Sequence, residues 1–271
     1  MEYKLGNTIL YLDKVELGYG QGSDYKTILK DVTLEEKDVV GKGQIIAVVG
    51  RSGRGKSTLF KALTGMVKPK SGKILISEDQ NDVKAKEVLE GDVGYVDQKY
   101  TLFRHKTVYK SFYAALRKTK FSDTEKNETI EKYLAEWGLS EHRDKYPCEL
   151  SGGQRQRTAI IEQILSSGHF MVFDEPFSGL DVGNINSVKN AFDLIHKAHE
   201  LNTIIFSTHN MRLALELADS IYIVGHLNGN KEYSTITNHY DLKKLGLAWQ
   251  KKFGPAHLEL LEKIESDLLK S

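Results

Sequence analysis

IIAVVGRSGRGKST, Ile45 to Thr58, joins a run of five apolar residues with no polar break to a loop crowded with three glycines, two arginines and a lysine. A short apolar run rich in β-branched residues and ended by glycine reads as a strand buried on both faces, the kind found in parallel sheets. The next stretch, TLFKALTG, has helical spacing. Strand, glycine loop and helix form the frame for G-x-x-x-x-G-K-[ST], which Gly50, Gly55, Lys56 and Ser57 satisfy. Glycines let the backbone curl with its N–H groups inward, and the helix N-terminus adds partial positive charge, so the loop can cradle phosphate oxygens. Lys56 would reach the β and γ phosphates, and the Ser57 hydroxyl would ligate Mg2+. The candidate nucleotide-binding stretch comprises Gly50, Arg51, Ser52, Gly53, Arg54, Gly55, Lys56, Ser57 and Thr58, with Arg51 and Arg54 expected to face solvent. A glycine-rich turn that binds nothing is the plain alternative, and it leaves the strand and helix context unexplained.

Upstream of the loop, TILYLDKVELGY and TILKDVTLEE alternate like strands, and GKILI and VGYV follow downstream as further short strands. From about Thr107 to Pro147 the spacing becomes helical, as in VYKSFYAALRK and TIEKYLAEWGL. Beyond that, FMVF, TIIFS and SIYIV alternate with the helical stretches QRQRTAIIEQIL, INSVKNAFDLIHKAHE and MRLALELA, the rhythm of a parallel sheet covered by helices. The fold expected is α/β, with a mixed, largely parallel sheet, an N-terminal antiparallel β part and an inserted helical part.

With 271 residues, 40% hydrophobic and 28% charged, the chain is long enough for one large domain with a subdomain and a tail. A net charge of +1 gives no argument for nucleic acid as the main partner. The single cysteine, Cys148, excludes an intrachain disulfide framework and fits a reducing compartment. No apolar run approaches the roughly 20 residues that a membrane-spanning helix needs, and no export signal is evident at the N-terminus.

FMVFDEP, Phe170 to Pro176, delivers Asp174 and Glu175 at the C-terminal end of a buried strand, where ligands gather in open α/β sheets. Asp174 suits a Mg2+ shell, and Glu175 suits orienting or deprotonating a water in line with a γ-phosphate. Alone, the motif reads equally well as an acidic turn before proline. In ELSGGQRQR, Glu149 to Arg157, Ser151, Gly152 and Gly153 would open a helix with exposed N–H groups, a second anion site about a hundred positions beyond the first.

At LSGGQ, Leu150 to Gln154, the chain resembles the ATP-binding cassette (ABC) ATPases residue for residue, and the resemblance runs in order over roughly residues 15–225. It implies a P-loop NTPase core over residues 1–240, a helical subdomain inserted at about 99–155, and a C-terminal helical tail at 241–271. Gln98 stands at the position of the family's Q-loop glutamine, close to metal and water. SGLD, ending at Asp181, matches the D-loop that passes between paired subunits, and His209 stands at the switch histidine, a γ-phosphate contact. Tyr19 resembles the aromatic that stacks on adenine, with Tyr25 as competitor. The implied catalytic set is Glu175, His209, Gln98 and Lys56; the metal set is Ser57, Gln98 and Asp174; Ser151, Gly152, Gly153, Gln154 and Asp181 would meet nucleotide across a dimer.

The resemblance further implies ATP and Mg2+ as ligands, a second ABC ATPase subunit paired head to tail as a homodimer, and separate transmembrane permease subunits. The place of work would be the cytoplasm, peripheral on the inner face of the cell membrane, with no direct nucleic-acid contact. A soluble non-transport ABC ATPase acting in cluster assembly or on DNA or ribosomes is the alternative. Glu162 departs from the family pattern, standing where many relatives carry arginine. In the tail, Leu258, Leu261, Ile264 and Leu268 are expected to form one buried helix face, and Trp249 is expected in a solvated linker.

Overall fold

In the computed structural model of the chain, the described residues are 3–77, 86–97, 100–167, 169–179, 182–227, 231–250 and 252–271. Strand β3 (Gln44–Val49) is buried at every position. Its side chains divide by the two-residue period of a strand, with Ile45, Ala47 and Val49 in one core and Ile46 and Val48 in the other. That is why its sequence shows no polar alternation.

β3 pairs in parallel with β8 (Thr203–Thr208) on one side and β9 (Ser220–Gly225) on the other. Beyond β8 lie β7 (Phe170–Phe173) and β6 (Val93–Val96), also parallel. An edge strand that the sequence pattern does not announce, β10 (Thr235–Asp241), runs antiparallel to β9 and gives the order β10-β9-β3-β8-β7-β6. Parallel neighbours need long crossovers. Helix α1 (Lys56–Leu63) follows β3, α5 (Val182–Ala198) links β7 to β8, and α6 (Met211–Leu217) links β8 to β9. Between β6 and β7 the chain inserts α2 (Val108–Ala115), α3 (Asp123–Glu136) and α4 (Gly152–Ser166).

A second sheet, β2-β1-β4-β5, is antiparallel and built from β1 (Leu5–Tyr19), β2 (Lys26–Val39), β4 (Ser71–Ile76) and β5 (Lys86–Glu87). Leu12, Val15, Leu29 and Leu34 from this sheet share one core with Leu59, Phe60 and Leu63 of α1 and with Ile46 and Val48 of β3. Burying each such side chain contributes about 1.5–3 kcal/mol before entropy is counted, so the phosphate-loop helix is clamped between two sheets. A buried polar network pins the sheets together: Tyr222 donates to Glu36 Oε1 at 2.8 Å, and Lys243 Nζ donates to Glu36 Oε2 at 3.3 Å and to Ser220 Oγ at 2.9 Å.

In the tail, Leu261, Ile264 and Leu268 pack against the core as expected, while Leu258 and Trp249 depart from expectation. Helix α7 (Pro255–Lys270) packs on α6 through buried His257, Leu260 and Ile264, while Leu258 is 51% exposed. Leu261 and Leu268 are partly buried against the same core, so docking keeps three of the four expected residues and takes Leu260 in place of Leu258. Trp249 belongs to the domain surface, not to a solvated linker: its ring meets Tyr3 edge to face at 5.8 Å and carries Lys42 Nζ 4.1 Å from its ring centre.

Candidate functional site

Strands β3, β7 and β8 run parallel and adjacent, so the loops after them open at one edge of the sheet. The loop after β3 needs its first glycine for contact reasons, because a Cβ on Gly50 would lie 2.3 Å from the Val224 carbonyl of β9. Gly55 adopts φ 92° at the helix N-cap, where side-chain-bearing residues rarely sit. The loop curls so that Lys56 Nζ donates to the Gly50 carbonyl at 2.8 Å and approaches that of Arg51 at 3.4 Å. Arg51, Ser52, Gly53 and Ser57 are exposed, while Thr58 is buried and hydrogen-bonded to the Tyr19 hydroxyl at 3.2 Å. Arg54 departs from the solvent-facing expectation. Its Nη1 lies 2.5 Å from His226 Nε2 and its Nε is buried, because β9 ends beside the loop and offers a ring acceptor there.

At the end of β7, Glu175 has φ 51°, a turn that aims its carboxylate back at the loop. Oε1 lies 3.8 Å from Lys56 Nζ, and Oε2 lies 3.0 Å from His209 Nδ1. Three residues from three separate strand ends thus converge. A carboxylate only accepts, so Nδ1 carries the proton of that pair, and Nε2 of the exposed His209 ring is left for a ligand. Asp174 is held by donors: Ser207 Oγ at 2.7 Å and, at the outer limit of 3.5 Å, the Tyr95 hydroxyl. Burial, with the charges of Asp174 and Asp97 adding, pushes Tyr95 up to about 12, so it remains a donor.

Helix α4 opens with a reciprocal cap. Ser151 Oγ accepts the Gln154 N–H at 3.3 Å, and Gln154 Oε1 accepts the Ser151 N–H at 2.8 Å. Ser151 and Gly152 are exposed. The helix continues to Gln156, 3% exposed, whose Nε2 donates to the Tyr100 hydroxyl at 2.7 Å; that hydroxyl donates to the Pro176 carbonyl at 3.0 Å. The inserted helices are therefore wired to the turn that carries Glu175.

Of the residues singled out in the sequence, the structure brings Lys56, Asp174, Glu175 and His209 together, and sets Tyr19 against α1. Tyr25 is occupied elsewhere, with Lys70 Nζ 4.2 Å from its ring centre. Gln98 and Asp181 lie outside the described residues. Ser207, Tyr95, Tyr100 and His226 were not foreseen. A serine two places before His209 in an otherwise apolar strand was the available signal for Ser207; Tyr100 and His226 gave none, since both act through tertiary contact.

The donor set fits a hard divalent cation, since an exposed Ser57 hydroxyl and the Asp174 carboxylate supply oxygen ligands only.

The profile of the family described as ABC transporter matches residues 30–178. The sulfate/thiosulfate import ATP-binding protein CysA of Synechocystis sp. is 33% identical over 74% of this chain and 54% of its own. The spermidine/putrescine import ATP-binding protein PotA of Fusobacterium nucleatum is 36% identical over 73% of this chain and 50% of its own. The chain thus spans about half the length of the curated relatives it matches. Among solved structures, cbiO1 from Clostridium perfringens, part of the ABC transporter complex cbiONQ, superposes with a TM-score of 0.71 at 24% identity, covering 97% of each chain. The last likeness is one of fold.

Proposed function

This chain belongs to the ABC transporter family, and from that premise we propose that it is the ATP-binding, ATP-hydrolysing subunit of such a transporter, closing head to tail with a second copy and driving separate membrane subunits. The observation that carries the reading is the convergence of Lys56, Glu175 and His209 at one sheet edge. Among the described residues no helix is long and apolar enough to cross a membrane, in keeping with spanning segments on another chain. Both curated relatives are named import ATP-binding proteins, which supports import. They name different cargoes.

Each step of the proposed reaction is assigned to a residue singled out above. Loop N–H groups bind the phosphates of ATP, and Lys56 exchanges its carbonyl partners for the β and γ phosphate oxygens. Glu175, with its Oε1 3.8 Å from Lys56 Nζ, accepts the proton of the attacking water. His209, held by Glu175 through Nδ1, would donate from Nε2–H to the γ-phosphate, which requires a proton on both ring nitrogens. Mg2+, held by Ser57 and Asp174 with Gln98 proposed as a third ligand, would neutralise phosphate charge. Tyr19 would stack on adenine, a reading supported by its exposure and its bond to Thr58. The start of α4, Ser151 to Gln154, exposed at Ser151 and Gly152, would bind the γ-phosphate held by the partner, with Asp181 passing between the two copies. ATP then bridges the pair, and phosphate release lets it open. The work would be done on the cytoplasmic face of the membrane.

The test is gel filtration of purified Glu175→Gln chain with Mg2+ and ATP. A doubled mass with ATP and not with ADP is expected, together with loss of nucleotide binding in Lys56→Ala. Hydrolysis by Glu175→Gln at the parental rate would overturn the assignment.

A further inference from the structure

Gln154 makes two contacts through one carboxamide: Oε1 accepts the Ser151 N–H at 2.8 Å, and Nε2 lies 2.8 Å from Nε2 of His142. The first contact settles the orientation, since an oxygen must face the Ser151 N–H. The amide nitrogen therefore faces the imidazole, and it only donates. His142 Nε2 must accept, which requires a neutral ring carrying its proton on Nδ1. Turning the carboxamide over would set N–H against N–H at Ser151, and a proton on His142 Nε2 would do the same at the ring. One arrangement gives each of the two contacts a donor and an acceptor.

The ring holds this arrangement at a cost. His142 Nδ1 is buried and bonds to nothing among the described residues. An orphaned buried N–H forfeits the water it would otherwise bond, a penalty that an apolar side chain of the same size would avoid. His142 is also delivered from outside the helix it braces, by the turn after α3, where its N–H donates to the Leu139 carbonyl at 2.8 Å. The cap itself uses the N–H groups of Ser151 and Gln154. That leaves Gly152 and Gly153 N–H as the donors of the helix end.

We propose that His142 is a positioning residue for this anion-binding end: as an Nδ1-protonated acceptor it locks the Gln154 carboxamide, which locks Ser151 and so aims the Gly152 and Gly153 amides. The inference rests on the reading that these amides meet the partner's nucleotide. It adds the group that holds them ready, supplied by the turn between α3 and α4.

Two measurements on the full chain test it. In the Glu175→Gln background, His142→Phe should raise the ATP concentration for half-maximal dimer about three- to tenfold, the worth of one hydrogen bond, and leave fluorescent-ATP binding to the monomer unchanged. His142→Gln, which returns an acceptor oxygen at similar reach, should restore dimerisation; in Gln154→Ala, adding His142→Phe should change nothing further. A filler role for the ring predicts the opposite order, with Phe tolerated and Gln not, and that order overturns the proposal. Nitrogen-15 correlation spectra of the imidazole read the tautomer directly, and a proton on His142 Nε2 overturns it as well. If Glu175→Gln never dimerises with ATP, the shared-nucleotide reading fails and the tautomer alone decides whether His142 holds Gln154.

Discussion

Ser207 Oγ lies 2.7 Å from Asp174 Oδ1 and, on its other side, accepts the Glu175 N–H at 2.8 Å. One fully buried hydroxyl thus orients both acidic residues at the end of β7. Ser207→Ala leaves the Glu175 N–H without an acceptor and frees Asp174 to rotate. We expect a loss of about 1–3 kcal/mol in unfolding free energy, read by urea denaturation. Turnover of ATP should fall more than its binding, because the group displaced is the one proposed to take the proton. Equal falls in kcat and in affinity would show that Ser207 is only a packing residue.

Tyr100 supplies a second prediction. Its hydroxyl accepts from Gln156 and donates to the Pro176 carbonyl, and burial pushes it up to about 12. Tyr100→Phe strands both partners and should cost about 1–3 kcal/mol. Adding Gln156→Leu removes one stranded group, so the double variant should be less destabilised than the sum of the singles. Additivity by denaturant titration would show that the bridge is not formed in solution.

The strand, loop and helix from Gln44 to Leu63 were legible because burial on both faces and the special demands of the phosphate loop leave a dense local signature. Lys56, Asp174, Glu175 and His209 were legible because each follows a strand in a recognisable stretch. What escaped was non-local. Ser207 looks like any strand serine until Asp174 is placed beside it. Arg54 looks solvent-bound until β9 brings His226 next to the loop, and β10 hides because TITNHYD offers only Ile236 and Tyr240 as apolar positions, too few to show a strand's alternation. On α7 the expected face held at Leu261, Ile264 and Leu268 and failed only at Leu258, whose place in the core is taken by Leu260.

Glu162 supplies a pH dependence. Burial pushes its carboxyl from 4.5 up to about 7, against the opposing pull of Lys106. Between those values the folded chain binds the proton more tightly than the unfolded chain does. Stability therefore falls as pH rises through this window, and levels off above about 7. Asp219, buried and raised from 3.8 to about 7, acts in the same direction. Glu162→Gln cannot ionise, so at pH 8 it should be more stable than the parent by about 1–3 kcal/mol, with little difference near pH 4.5. A parental profile that climbs from pH 5 to pH 7 with a slope unaltered in Glu162→Gln would contradict this.

The tail helix packs on α6, the helix that follows His209, and so should affect the proposed hydrolysis. Asn210 caps α6 by accepting the Leu213 N–H at 3.1 Å, and it directly follows His209. Ile264 of α7 is fully buried in the core that includes Met211, Leu213, Ala214 and Leu215 of α6. Truncating it to Ala should cost about 2–5 kcal/mol, depending on how far the site collapses. The slack falls on α6, whose first turn sets where His209 stands against Glu175. Ile264→Ala should therefore slow ATP hydrolysis at a temperature where the chain remains folded, while ATP binding at the Lys56 loop, anchored by β3 and the other core, stays near parental. Leu258→Ala, on the exposed side of the same helix, should change stability by less than about 0.5 kcal/mol. Paired melting and turnover assays on the two variants check this, and equal effects from both would mean that α7 does not dock through Ile264.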